Sequence, residues 1–215
     1  MSVRQIDLFS DVICPWCFIG KRRLERALKI RSNPRVDINW RAFQLNPDMP
    51  KKGIAREQYI EAKFGGPERA QGIYDNIRRV GETEGLEFRF DKIKRTPNTI
   101  LAHRLISWSK HLKISDLVVE RLFKAYFFEG LDIGSMETLI ELLEELEINT
   151  EAFKSYIKTD NGLDEVSDET RFAYENGITG VPCFIFDKKY SVSGAQEPEA
   201  FFPLFDLNIN EDDTE

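Results

Sequence analysis

The sequence predicts an α/β protein whose sheet is built from two separated stretches of chain, with a helical domain inserted between them. Three observations lead there. A strand-like apolar run, Ile6-Asp7-Leu8-Phe9, passes into Cys14-Pro15-Trp16-Cys17, which opens a helix-like run. The centre of the chain, residues 50–157, is patterned as amphipathic helices. Strand patterning returns at Cys183-Phe184-Ile185-Phe186 and Tyr190-Ser191-Val192-Ser193.

Taken in order, residues 6–10 read as a buried strand and 16–30 as the helix that follows it. Ser32-Asn33-Pro34 is a turn signal, and 36–43 alternates apolar and polar as a half-buried strand should. Helical periodicity then covers 59–64, 73–80, 99–112, 115–128 and 136–146, and Asn149-Thr150 starts another helix. Gly65-Gly66-Pro67 and the glycines at 130 and 134 punctuate this block. Residues 164–176 form a helix that Gly177 caps, Gly180-Val181-Pro182 is a turn, and Asp187-Lys188-Lys189 joins the two late strands as a hairpin. Residues 198–205 make a last helix before the acidic, frayed 211–215. This order is that of a thioredoxin fold with an inserted helical domain. The expected division is a discontinuous thioredoxin-like domain at 1–48 and 158–208, a helical domain at 49–157 and an acidic tail at 209–215.

With 215 residues, 41% of them hydrophobic and 12% aromatic, the chain can bury a substantial core. It carries 30 basic against 37 acidic side chains, a formal charge of -7, and no basic stripe, so no nucleic-acid partner is expected. No basic flank leads into an apolar stretch at the N-terminus, and no stretch is long enough to span a bilayer, so neither secretion nor a membrane is expected. Only 3 cysteines are present, two of them in one motif. That usage points to the cytoplasm, where a disulfide is transient and catalytic rather than a structural staple.

Cys14 and Cys17 are the expected catalytic pair. Two thiols at a helix start can close into a small disulfide and reopen, and the positive end of the helix favours a thiolate on the first. Cys14 is therefore read as the attacking, more exposed thiol, and Cys17 as the one that resolves the mixed disulfide. Pro15 suits the first helical turn, and Trp16 is read as a substrate contact or a lid. Zinc would need two more ligands from Cys183, His103 or His111, and none has finger-type spacing. In a thioredoxin fold the loop before the third strand lies beside the dithiol, so Val181-Pro182 is expected to be a cis bond that offers the backbone of Val181 to an incoming peptide. Asn98 and His103, with Thr99 and Arg104, are expected where the helical domain faces the dithiol, His103 supplying a proton or charge. The competing assignments are a helix cap for Asn98 and a buried polar residue for His103. Cys183 is read as core, and His111 as a surface residue near a helix end.

The segment Asp11-Val12-Ile13-Cys14-Pro15-Trp16-Cys17-Phe18-Ile19-Gly20 resembles the active-site region of the FrnE-like branch of the DsbA family. So do Pro97-Asn98-Thr99, Ala102-His103-Arg104-Leu105, Phe127-Phe128-Glu129-Gly130-Leu131-Asp132-Ile133, and Gly180-Val181-Pro182 through Val192-Ser193-Gly194-Ala195-Gln196. The likeness spans nearly the whole chain. It implies an oxidoreductase, or a disulfide isomerase, acting on protein or peptide thiols and disulfides. It implies no cofactor beyond the redox disulfide, with glutathione as an alternative reductant or co-substrate. By the same resemblance Cys14 and Cys17 are catalytic and Pro182 is the cis-proline. The chain departs from that branch at Cys183, a position commonly aromatic there, and lacks the further cysteine pair of some relatives. The runner-up is a glutathione-dependent isomerase or kappa-type glutathione transferase, which resembles the Asn98-Thr99 and Gly180-Val181-Pro182 stretches. Such enzymes typically carry serine where this chain has Cys14. A thioredoxin-like binding module is a third reading, and one with no need of a reactive dithiol.

Overall fold

The computed structural model describes residues 4–32 and 34–207. Asn33 of the expected turn and the acidic tail at 209–215 lie outside the described residues.

The main sheet has four strands. β1 (Arg4–Ser10) and β2 (Val36–Ala42) run parallel and are joined by α1 (Pro15–Ile30). A parallel pair needs such a crossover, because a tight turn reverses the chain. β5 (Cys183–Phe186) lies antiparallel on the other side of β1, and β6 (Tyr190–Ser193) lies antiparallel on β5. The order across the sheet is thus β2-β1-β5-β6. Asp187 and Lys188, at φ 50° and 57°, make the tight hairpin between the last two strands. The register sets Phe9 against Cys183 and Ser10 against Ala42. The C-terminal end of β1 therefore meets the N-terminal end of β5, the place where the cysteine motif and the Val181-Pro182 loop come together.

Between β2 and β5 the chain is mainly helical: α2 (Arg56–Phe64), α3 (Pro67–Thr83), α4 (Ile100–Lys110), α5 (Ser115–Lys124), α6 (Met136–Glu145), α7 (Thr150–Ile157) and α8 (Leu163–Glu175). Two details differ from the sequence pattern. A short antiparallel ribbon pairs β3 (Ile54–Ala55) with β4 (Arg95–Thr96). Two-residue strands are too short to carry an alternation. Gly53 sits beside the ribbon at φ +63°, where a Cβ would fall 2.5 Å from the Thr96 carbonyl oxygen, so only glycine fits. The helix read through 128 ends at Lys124, and Ala125–Glu129 continue as a π turn, which re-phases the side chains so that both Tyr126 and Phe127 are buried. After the sheet, a short 3₁₀ turn at Pro198–Phe201 leads into α9 (Phe202–Asp206).

α1 is the wall shared by the sheet and the helical block. Phe18, fully buried, stacks on Phe123 of α5 at a centroid distance of 4.8 Å and also meets Phe88, Phe127 and Phe128. One turn on, Lys21 and Arg22 reach across to α5. Arg22 makes a two-pronged ion pair with Glu120, one arm at 2.9 Å, and Lys21 lies 3.2 Å from the same carboxylate and 3.3 Å from Asp116. Burial opposes ionisation of Glu120, but the Arg22 hydrogen bond and the Lys21 and Arg22 charges outweigh it and lower its pKa from 4.5 to about 2. A depressed carboxylate adds stability above its unfolded pKa and loses it as pH falls toward the folded value. Glu120→Gln is expected to cost about 1 kcal/mol at neutral pH, discounted because the pair is partly solvated. Urea titrations should show the difference from wild type shrinking as pH falls from 4.5 toward 2.

Candidate active site

The cysteine motif turns tightly off β1. Cys14 N–H donates to the Asp11 carbonyl (2.9 Å), and Cys17 N–H to the Cys14 carbonyl (3.1 Å). Cys14 is the extended residue that caps α1 (φ −93°, ψ 112°), and Pro15 takes the first helical position, where no N–H is needed. No acidic side chain stands in the first turn of α1 to neutralise its positive end. The Cys14 thiol donates to the carbonyl oxygen of Val181 at 3.6 Å, and the Val181-Pro182 bond is cis.

Gly20, one turn along α1, lets the helix press against this loop. A Cβ there would lie 2.8 Å from Pro182 Cγ and 3.2 Å from Phe184 Cζ. Glycine inside a helix costs about 1 kcal/mol relative to alanine, so the close approach is bought with helix stability.

Both thiols are unpaired and covered: Cys14 is 4% exposed and Cys17 1%. Burial pushes the Cys17 thiol well up, and the adjacent Cys14 adds to this, while the Ser10 hydroxyl and the Asp11 backbone oppose it. Pro15 and Trp16 are half-buried, Trp16 packing on the core. Cys183 is 2% exposed with its sulfur 3.9 Å from the Ser193 hydroxyl, and burial raises its pKa. His111 is exposed at the C-terminal end of α4.

His103 lies against Asp11, three residues before the motif. It is 3% exposed, and its Nε2 lies 3.4 Å from Oδ1 of the fully buried Asp11, whose Oδ2 accepts from the Leu45 N–H at 2.9 Å. Asn98 takes the competing helix-start assignment. Its Nδ2 donates to the Met49 carbonyl (2.7 Å) and its Oδ1 accepts from the Ile100 N–H (3.0 Å), so it ties a loop to the start of α4. Arg104 likewise serves the backbone, donating to the carbonyls of Thr159 (2.6 Å) and Asn161 (2.9 Å) beyond the end of α7.

Four residues around the dithiol were not singled out as site residues in the sequence, although Asp11 and Gly20 bound the segment that carries the resemblance. Ser10 and Asp11 carried a faint signal, polar side chains between an apolar strand and the motif. Gly20 carried another, as a glycine inside a helical pattern. Tyr59 on α2 carried none, because only folding brings it near. Burial raises its pKa, the charges of Asp11 and Cys14 add to this, and Asn46 and Arg56 oppose it.

Residues 5–203 match the family described as the DSBA-like thioredoxin domain. The uncharacterized protein YwbO of Bacillus subtilis (strain 168) is 30% identical over 181 residues, 84% of this chain and 85% of that one. The crystal structure of a probable DsbA oxidoreductase from Streptomyces coelicolor is 30% identical, with a TM-score of 0.84 over 94% of this chain and 88% of that one. The cytosolic disulfide reductase DsbM from Pseudomonas aeruginosa, also solved with GSH, shares the fold at 17% identity without it and 16% with it, with a TM-score of 0.64 over 88% of this chain and 89% of that one. The α/β sheet with its helical segments is thus a thioredoxin-like architecture, and the chain belongs to the DSBA-like thioredoxin domain family.

Proposed function

We propose that the protein reduces or isomerises disulfides of proteins and peptides through Cys14 and Cys17, as a FrnE-like member of its family working in the cytoplasm. The observation that carries this reading is the Cys14 thiol at the head of α1, donating to the Val181 carbonyl with the buried Cys17 behind it. The Cys14 thiolate attacks one sulfur of a substrate disulfide. That S–S bond breaks, a mixed disulfide forms, and the other substrate sulfur leaves as a thiolate. Cys17 then attacks Cys14 Sγ and releases the second substrate thiol. Two glutathione molecules, oxidised to glutathione disulfide, return the Cys14–Cys17 disulfide to the dithiol. A surface groove of about 880 Å³ runs from Val181 past Ile178 to Phe172 and Tyr190, and supplies apolar contacts for the chain flanking a substrate cysteine.

Reduction of insulin with glutathione as donor tests the reading. With glutathione omitted, reduced Cys17→Ala is expected to accumulate a covalent insulin adduct on Cys14, visible on a non-reducing gel, with Cys183 unmodified. A preparation that leaves insulin intact while conjugating glutathione to electrophiles would instead make this a glutathione transferase.

A further inference from the structure

We propose that a recess beside α8 takes one apolar residue of the substrate polypeptide, holding it by its peptide unit through Gln44 and Thr170. This rests on the oxidoreductase reading above. Two buried side chains on the wall of the recess have polar atoms with no hydrogen-bond partner among the described residues. They are Gln44 Nε2, on a residue 7% exposed, and Thr170 Oγ1, on a residue 8% exposed. Folded proteins leave few such atoms unpaired, because each has lost water without gaining a partner. Two of them on one recess point to a ligand that completes both.

The recess has a volume of about 500 Å³, within the range of ligand pockets. Leu163, Val166 and Tyr174 of α8 line one side, and Pro47 and Ile100 complete it. That lining suits an apolar side chain of leucine size. The polar pair fixes what this side chain hangs from. Gln44 Nε2 is a donor, so it calls for a carbonyl oxygen. A threonine hydroxyl donates and accepts, so it can receive an N–H. A peptide unit supplies both groups. The rim favours a neutral ligand over a carboxylate, since its cation, Arg171, already pairs with Asp168 at 2.6 Å and Glu175 at 3.9 Å.

The recess is tied to the dithiol and held in shape. Phe43 N–H donates to the Ser10 carbonyl (3.1 Å), and Leu45 N–H to Asp11 Oδ2 (2.9 Å). The chain on both sides of Gln44 is thus fixed to the turn that leads into Cys14. Asn98 positions the Ile100 N–H at the start of α4 (3.0 Å), and Arg104 holds the Thr159 and Asn161 carbonyls ahead of α8. Tyr174 closes the wall, its ring 5.1 Å from that of Phe43 and its hydroxyl 3.5 Å from the Gln44 carbonyl. α8 turns Phe172 toward the groove beside Val181, and Val166, Thr170 and Tyr174 toward the recess. The two depressions are therefore separate, and a polypeptide joined to Cys14 can lay one flank in each.

The test uses the reduced full-length protein and synthetic peptides of glycine and serine around one cysteine, which is held as a disulfide to thionitrobenzoate. The Cys14 thiolate attacks the peptide sulfur, that S–S bond breaks, and coloured thionitrobenzoate leaves as the thiolate. Rapid mixing at rising peptide concentration gives a half-saturating concentration and a limiting rate. A single leucine is then walked through the flanking positions. At its best position it is expected to lower the half-saturating concentration about tenfold, with the limiting rate unchanged. Gln44→Met and Thr170→Val are each expected to cut this gain to about twofold, while Thr170→Ser, which keeps the hydroxyl, retains it. Both apolar variants keep the shape of the side chain, so an unchanged or raised melting temperature is expected. No gain at any position overturns the proposal. So does a tenfold gain that survives in both apolar variants, which would belong to the groove across α8. Either result leaves disulfide exchange intact. Wild-type protein that releases no thionitrobenzoate from any peptide removes the oxidoreductase reading itself, and this proposal with it.

Discussion

Cys14→Ser is expected to lower insulin reduction by a factor on the order of 10³ or more, to the rate of glutathione alone. Serine is nearly isosteric with cysteine, and the contact it replaces is a single long one of 3.6 Å to the Val181 carbonyl, so the fold and the loop should be undisturbed. What is lost is the nucleophile, since a serine hydroxyl does not ionise near neutral pH as a thiol can. Near-wild-type turnover by this variant, in a preparation shown by mass to lack the thiol, would remove Cys14 from the mechanism.

Phe18→Ala is expected to be among the most damaging core substitutions. The ring is fully buried, stacks on Phe123 at 4.8 Å, and carries the Arg22 guanidinium 4.8 Å from its centroid. Truncation removes its transfer free energy and leaves a cavity between α1 and α5, together about 3–5 kcal/mol. For a chain of this size that lowers the melting temperature by roughly 10 °C. Thermal unfolding followed by circular dichroism measures it. A drop of only a degree or two would mean that α1 and the helical block do not depend on this contact.

The sequence revealed whatever is local. The run Ile6 to Phe9, the alternation over β2 and the late apolar strand announced themselves by period, because each exposes its pattern to a window of a few residues. The dithiol was legible for the same reason, as a motif and its two flanks lie side by side in the chain. What escaped depends on distant partners. β3 and β4 are too short to carry a period, and residues 56–94, all helix and turn, separate them. Tyr59 joins the site through the fold alone. For Asn98 the sequence left a site role and a helix-cap role open, and its partners, the Met49 carbonyl and the Ile100 N–H at the start of α4, are backbone groups that no side-chain pattern advertises.

The contact between the Cys14 thiol and the Val181 carbonyl spans 167 positions of sequence. During synthesis at about 5–20 residues per second, the carbonyl is made roughly ten to thirty seconds after the thiol. Through that interval the nascent chain displays a dithiol with neither its partner loop nor the strand that completes the sheet beside it. The arrangement that poises Cys14 therefore exists only once the Val181 loop has left the ribosome. Termination before Val181 yields a fragment that holds both cysteines and lacks the setting in which they are proposed to act, so translation order itself ties reactivity to synthesis of that loop.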